Sequence, residues 1–166
     1  MKVELPIRKH PRLENYDYSQ KGVYFITFCV KDKQNLLGDV GIWDAPLRVP
    51  VVELSEYGEF ISKQVQKINT VYPHVIVDKY IIMPNHVHIL INVIDGTRRG
   101  AYPTKATIPQ IVQSIKSMTT KQFGTSIWQR SYHDHIIRNH DEYLRIWKYT
   151  DENPALWSDD IYFVQN

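Results

Sequence analysis

The sequence predicts an α+β fold, and three observations carry that prediction. Segments rich in β-branched and aromatic residues alternate with segments whose apolar residues recur at helical spacing. Gly, Pro and Asn punctuate the boundaries between them. The resulting order is strand, helix, strand, strand, helix, strand, with one extra helix at the end. This is the order of the split βαβ, ferredoxin-like arrangement, an antiparallel sheet with helices on one face. The other face of such a sheet is left free for a site.

A polar N-terminal arm of about residues 1–20 comes first, and the strand GVYFITFCV follows over 22–30. Gly and Pro break up residues 38–50, which read as an irregular excursion. Leu54, Tyr57, Ile61, Val65 and Ile68 then recur at helical spacing, with Ser55 as a plausible N-cap. VIVDKYIIM (75–83) and HVHILINVI (86–94) are two strands around a Pro84-Asn85 turn. After a polar, basic loop over 95–107, Ile108, Ile111, Val112, Ile115 and Met118 mark a second helix that Gly124 would end. WQRSYHDHII (128–137) reads as the fourth strand. The last helix starts near Asn139 to Asp141 and must stop around Asn153-Pro154.

The 166 residues are expected to form a single domain spanning 1–166, large enough to bury an ordinary core. Apolar residues make up 43% and charged residues 23%, the balance of a globular chain. The net charge of +2 excludes a histone-like, uniformly basic surface, so contact with nucleic acid would need local patches. Arg8, Lys9 and Arg12, then Arg98 and Arg99, then Lys116 and Lys121 are the candidates, and each group reads equally well as scattered solvated charge. The lone Cys29 rules out an internal disulfide and reads as a small core residue. No apolar run approaches the roughly 18 residues of a membrane span. Met1 to Arg12 is polar with two prolines, unlike a signal peptide. A cytoplasmic protein without a membrane partner is the expectation.

The sharpest local feature is His86-Val87-His88. On a strand, residues i and i+2 share a face, so both imidazoles project together while Val87 packs behind. Such a pair is half of a metal site or, more often, two hydrogen-bonded polar groups. On the last helix, Tyr143, Leu144 and Trp147 share a stripe that reads as core. Tyr149 lies about 200° around the helix from Trp147, and Asn153 is one turn further along its face. A tyrosine off the packing stripe beside an amide can act as a nucleophile, although at this spacing a packing role is the commoner one. Ile146 lies near that face and leaves the helix apolar on more than one side. If 128–137 is a strand, Asp134 and His135 face opposite sides, and Tyr132 packs.

Taken together, these segments resemble the IS200-like single-tyrosine transposases, which carry the His-apolar-His (HUH) motif, and more closely their REP-associated branch. The resemblance rests on Asn15-Tyr16-Asp17-Tyr18-Ser19, Tyr24-Phe25-Ile26-Thr27, Met83-Pro84-Asn85-His86-Val87-His88, WQRSYHDHIIR over 128–138, and Tyr149 with Glu152-Asn153-Pro154. These run in order from about residue 8 to 158. The resemblance implies a metal-dependent single-strand DNA endonuclease and strand transferase, active in DNA recombination and transposition. It implies Tyr149 as nucleophile on the C-terminal helix, and His86, His88 and Asn153 as ligands of Mg²⁺ or Mn²⁺. It further implies single-stranded or hairpin DNA as partner and a homodimer, because one tyrosine per chain leaves a full strand exchange one short. Arg138, in the segment shared with the REP-associated branch, joins the candidate DNA contacts. Insertion-sequence members place Gln where this chain has Asn153 and lack the 128–138 segment.

Three other readings compete. A domesticated hairpin-binding regulator would need neither the histidines nor the tyrosine. A metal-dependent hydrolase of small substrates would need a third strong ligand close by and no tyrosine adduct, and the sequence offers no such acidic ligand beside His86-Val87-His88. A replication or conjugation initiator of the same chemistry is usually larger.

Overall fold

The computed structural model describes residues 16–44, 49–94 and 107–164. Within them the elements follow as β1 (Gly22–Cys29), β2 (Gly38–Asp44), β3 (Val49–Leu54), α1 (Glu56–Val71), β4 (Val75–Ile82), β5 (His86–Val93), α2 (Ile108–Phe123), β6 (His133–Ile137) and α3 (His140–Glu152). A 3-10 helix, Asn153–Asp159, follows α3 directly. Four strands form one sheet in the order β4-β5-β1-β6, with every neighbouring pair antiparallel. β1 and β5, which open the two βαβ units, lie side by side at the centre, as the split βαβ arrangement requires.

The two faces of the sheet differ because β-strand side chains alternate. Val87, Ile89, Ile91 and Val93 of β5 join Tyr24, Ile26 and Phe28 of β1 in the main core. Ile61, Val65 and Ile68 of α1, and Ile108, Ile111, Val112 and Ile115 of α2, cover that face. Each such aliphatic contributes roughly 1.5–3 kcal/mol by leaving water. The caps are local. Ser55 Oγ accepts from the Gly58 N–H, Thr107 and Gln110 form a capping box, and Gly124 ends α2 at φ 73°.

On the opposite face, α3 lies over Phe25 and Leu90 with Ile146 as its buried anchor. Here the expected stripe is corrected. Leu144 is 51% exposed and Trp147 36%, whereas Ile146, Thr150 and Asn153 are buried. These three stand at i, i+4 and i+7 along one face, but a threonine and an asparagine dilute the stripe, so apolar counting picks the wrong side. Trp147 instead lies under Lys79, whose Nζ is 4.7 Å from the ring centroid.

Two further expectations are corrected. The 38–50 excursion is part of a hairpin, β2 paired with β3 apart from the main sheet. Its glycines and Pro50 hid the alternation. Pro50 is tolerated because it stands opposite Ile42 beside a register shift, on a ribbon bonded along one side only. Of 128–137, only β6 joins the sheet. Trp128 makes a single bridge to Val30, while Tyr132 sits in the main core as expected.

Candidate active site

The site lies on the α3 face of the sheet, at the end where β5 begins. His86 and His88 pair across from Cys29 and Thr27 of β1, so their side chains share that face with Phe25 and Leu90. Both imidazoles are fully buried, and their Nε2 atoms lie 3.1 Å apart. His88 Nδ1 is 2.7 Å from Thr27 Oγ1, and His86 Nδ1 is 2.9 Å from Asn85 Oδ1. Phe25 stacks on the His88 ring at 4.9 Å, and Tyr162 covers His86 at 4.5 Å.

α3 brings Tyr149 over this pair. Its hydroxyl is 3.4 Å from His88 Nε2 and donates to Asp160 Oδ2 at 3.4 Å. Asn153, one turn on, donates from Nδ2 to the same oxygen at 3.2 Å. Asp160 comes from the turn that follows the 3-10 helix, and its Oδ1 accepts the Tyr162 N–H at 2.7 Å.

Burial sets the protonation states. It holds His88 down at about 3, and it depresses His86 well below its ordinary value with a smaller contribution from His88. Both imidazoles are therefore neutral, the form that ligates metal. Burial pushes Asp160 up, and burial followed by the Asp160 charge pushes Tyr149 up. The phenol is thus held protonated.

A ligand atom from each of His86, His88 and Asp160 lies within 4.8 Å of the others. Ligands of one divalent ion at ~2.1 Å stand about 3–4 Å apart, which the two histidines satisfy. Asn153 Oδ1 is buried and, among the described residues, has no hydrogen-bond partner. Two neutral imidazoles, a carboxylate and an unpaired amide oxygen fit a divalent cation, so a His-His-Asp group able to bind one is present.

The sequence expectations thus converge on one place: His86, His88, Tyr149 and Asn153 are brought together. Asp160 was missed, as were the roles of Asn85, Thr27 and Tyr162. Nothing in Ser158-Asp159-Asp160-Ile161 singles out the second aspartate, because its position depends on how the 3-10 helix folds back. Among the basic candidates, Lys121 and Arg138 are exposed. Lys116 is corrected: it is 7% exposed and donates to the Gln129 and Ser131 carbonyls, so it braces the chain before β6. Arg8, Lys9, Arg12, Arg98 and Arg99 lie outside the described residues. His135, on the α3 side, bonds Glu142 at 2.6 Å. Glu142 also accepts the Arg138 N–H, which ties the first turn of α3 to β6. Asp134 is buried on the other face, as the alternation requires.

The α+β fold, an antiparallel sheet with a C-terminal helix, is shared with a tyrosine transposase of known structure. The solved structure of a REP-associated tyrosine transposase bound to a REP hairpin matches over 87% of this chain and 73% of its own, with a TM-score of 0.61 at 20% identity. In sequence, an uncharacterized protein of Haemophilus influenzae is 31% identical over 95% of this chain and 93% of its own length. The chain belongs to the same family as that protein. No protein-family model matches the sequence. Among the described residues, no helix is long and apolar enough to cross a membrane.

Proposed function

We propose that the chain is a metal-dependent single-strand DNA endonuclease and strand transferase, transposase-like, acting on hairpin-bearing DNA through Tyr149. The observation that carries this reading is the Tyr149 hydroxyl 3.4 Å from His88 Nε2, over two buried neutral histidines. A merely packed tyrosine needs neither histidine nor the Asp160 carboxylate beside it. The hairpin-bound structural neighbour supports the choice of substrate.

His86 and His88 would hold the ion, with Asp160 and Asn153 completing the set. A bound Mg²⁺ or Mn²⁺ supplies positive charge that lowers the phenol pKa and polarises a phosphoryl oxygen. Tyr149 Oη attacks the phosphorus and the bond to the 3′-oxygen breaks, leaving a 5′-phosphotyrosine and a 3′-hydroxyl. The phenolic proton has Asp160 Oδ2 as acceptor, and the departing 3′-oxygen takes one up. Attack by another 3′-hydroxyl reverses the step and joins strands without ATP. Phe25 and Tyr162 keep water from the histidine rings. We read residues 1–166 as one such domain, acting as a homodimer in the cytoplasm. Arg8, Lys9, Arg12, Arg98, Arg99, Lys121 and Arg138 are the candidate phosphate contacts.

The test mixes the protein with labelled single-stranded hairpins from DNA flanking its gene and Mg²⁺ or Mn²⁺, followed by a denaturing gel. An adduct that survives denaturation and vanishes in Tyr149→Phe or with chelator is expected. Tight hairpin binding without adduct or cleavage under either ion would replace this reading with the binding-only regulator.

A further inference from the structure

The two histidines are held by different kinds of partner, and the difference has chemical content. Asn85 is 1% exposed at the turn into β5. Its Nδ2 donates to the Lys33 carbonyl at 3.0 Å and to the Tyr162 carbonyl at 2.8 Å. Carbonyls only accept, so the nitrogen end of this amide is fixed and Oδ1 must be the atom facing His86 Nδ1 at 2.9 Å. That oxygen can only accept, so Nδ1 must carry the proton. The Lys33 carbonyl is itself aimed by a turn in which Asp32 and Lys33 both have positive φ, 54° and 52°. Such conformations persist where surrounding structure demands them.

His88 is different. Its Nδ1 faces the Thr27 hydroxyl at 2.7 Å, a group that can donate or accept. With Nδ1 of His86 protonated, His86 Nε2 is a lone pair 3.1 Å from His88 Nε2. Without an ion, His88 must therefore donate from Nε2 to His86 and accept from Thr27 at Nδ1. When Nε2 of His88 serves as a ligand, its proton has to reside on Nδ1, and Thr27 turns from donor to acceptor.

We propose that Asn85 is a positioning residue that locks His86 in the Nδ1–H tautomer and so presents a permanent lone pair to a cation, while Thr27 leaves His88 free to exchange tautomers as the cation binds. One histidine is prepared and the other adapts. Only one proton relocates, and the pair carries no net charge in either state. The inference rests on the metal reading above for the second half of the cycle, but the tautomer of His86 in the metal-free protein does not depend on it.

The experiment is long-range ¹H–¹⁵N NMR of the full chain, with ¹⁵N-labelled histidine and chelator present, repeated with Mg²⁺, alongside calorimetric titration with Mn²⁺. His86 should be Nδ1–H throughout, and His88 should move from Nε2–H to Nδ1–H on adding Mg²⁺. Asn85→Ala removes both donors and the acceptor; His86 should then populate both tautomers, and Mn²⁺ affinity should fall about 10- to 100-fold, as for lost outer-shell partners of metal ligands. Asn85→Asp removes both donors but keeps the acceptor, so His86 should stay Nδ1–H and affinity should exceed that of the alanine variant. An Nε2–H signal for His86 in the unmodified metal-free protein overturns the proposal, whatever the variants do. Equal loss of affinity in both variants with His86 unchanged also overturns it, because Asn85 would then act only by bracing the two carbonyls. If no ion binds the unmodified protein while His86 is Nδ1–H, the metal reading and the exchange at His88 fail together, and the lock on His86 stands alone.

Discussion

Thr27 Oγ1 and His88 Nδ1 meet 2.7 Å apart across the β1–β5 pairing, in a place where both side chains are buried. The contact holds an imidazole whose burial disfavours the protonated form. Because burial lowers His88 from 6.5 to about 3, the unfolded chain binds a proton below pH 6.5 that the folded chain does not. His86 is shifted the same way. Stability is therefore intact above pH 6.5 and falls as pH drops towards 3, by up to about 1.4 kcal/mol per pH unit from His88, with His86 acting in the same direction. Urea midpoints measured with chelator at pH 7, 6 and 5 should decline. His88→Gln should flatten that decline relative to the unmodified chain, and an unchanged slope would refute the assignment.

Neighbouring positions on α3 should respond in opposite ways. Ile146 anchors the helix on Phe25 and Leu90, so Ile146→Ala should cost about 2–5 kcal/mol. Trp147 is 36% exposed and rests on Lys79 and the Tyr143 ring, so Trp147→Ala should cost about 1–2 kcal/mol, the scale of one cation–π and one aromatic contact near the surface. Chemical denaturation of both variants checks the order. A larger loss at Trp147 would mean that the helix faces the sheet differently.

How much of this was readable in advance depended on whether the signal was local. Ser55 and Gly124 mark helix boundaries through hydrogen bonds made within a few residues, and a bond from the Met83 N–H to the His86 carbonyl closes the Pro84-Asn85 turn in the same local way. His86 and His88 needed only the two-residue period of a strand. The hairpin's pairing and the buried side of α3 depend on what lies opposite, which a period does not report. Asp160 is the extreme case: it reaches the histidines only because the 3-10 helix after α3 turns the chain back over β5, a tertiary event with no sequence period.

Two lysines on α2 should separate stability from binding. Lys116 is a buried donor to two carbonyls, so Lys116→Met should lower stability by about 1.5–3 kcal/mol and leave the hairpin affinity of the folded fraction unchanged. Lys121 is exposed, and if it touches phosphate, Lys121→Ala should leave the melting temperature alone while reducing the salt dependence of affinity by about one ion. Melting curves and binding isotherms at several salt concentrations test both. A melting loss at Lys121, or weaker binding by folded Lys116→Met, would contradict the division.

Gly58 offers a steric prediction. A Cβ placed there would lie 2.2 Å from the Leu37 carbonyl oxygen, a backbone atom that also accepts the Ser55 N–H. Gly58→Ala must displace the start of α1 or the approach to β2, against the small gain that alanine brings to a helix. A net loss of about 1–3 kcal/mol is expected. A thermal scan showing stabilisation would mean that the contact yields easily.

The pairing of Asn85 with the Tyr162 carbonyl spans 77 residues, and that of Lys33 with the Ile161 carbonyl spans 128. Translation proceeds at about 5–20 residues per second, so the histidine strand waits roughly 4–15 s before the ribosome has even made its covering segment. The site therefore closes well after its histidine strand has been made, and whatever chemistry it performs begins only on a chain whose synthesis has passed Tyr162.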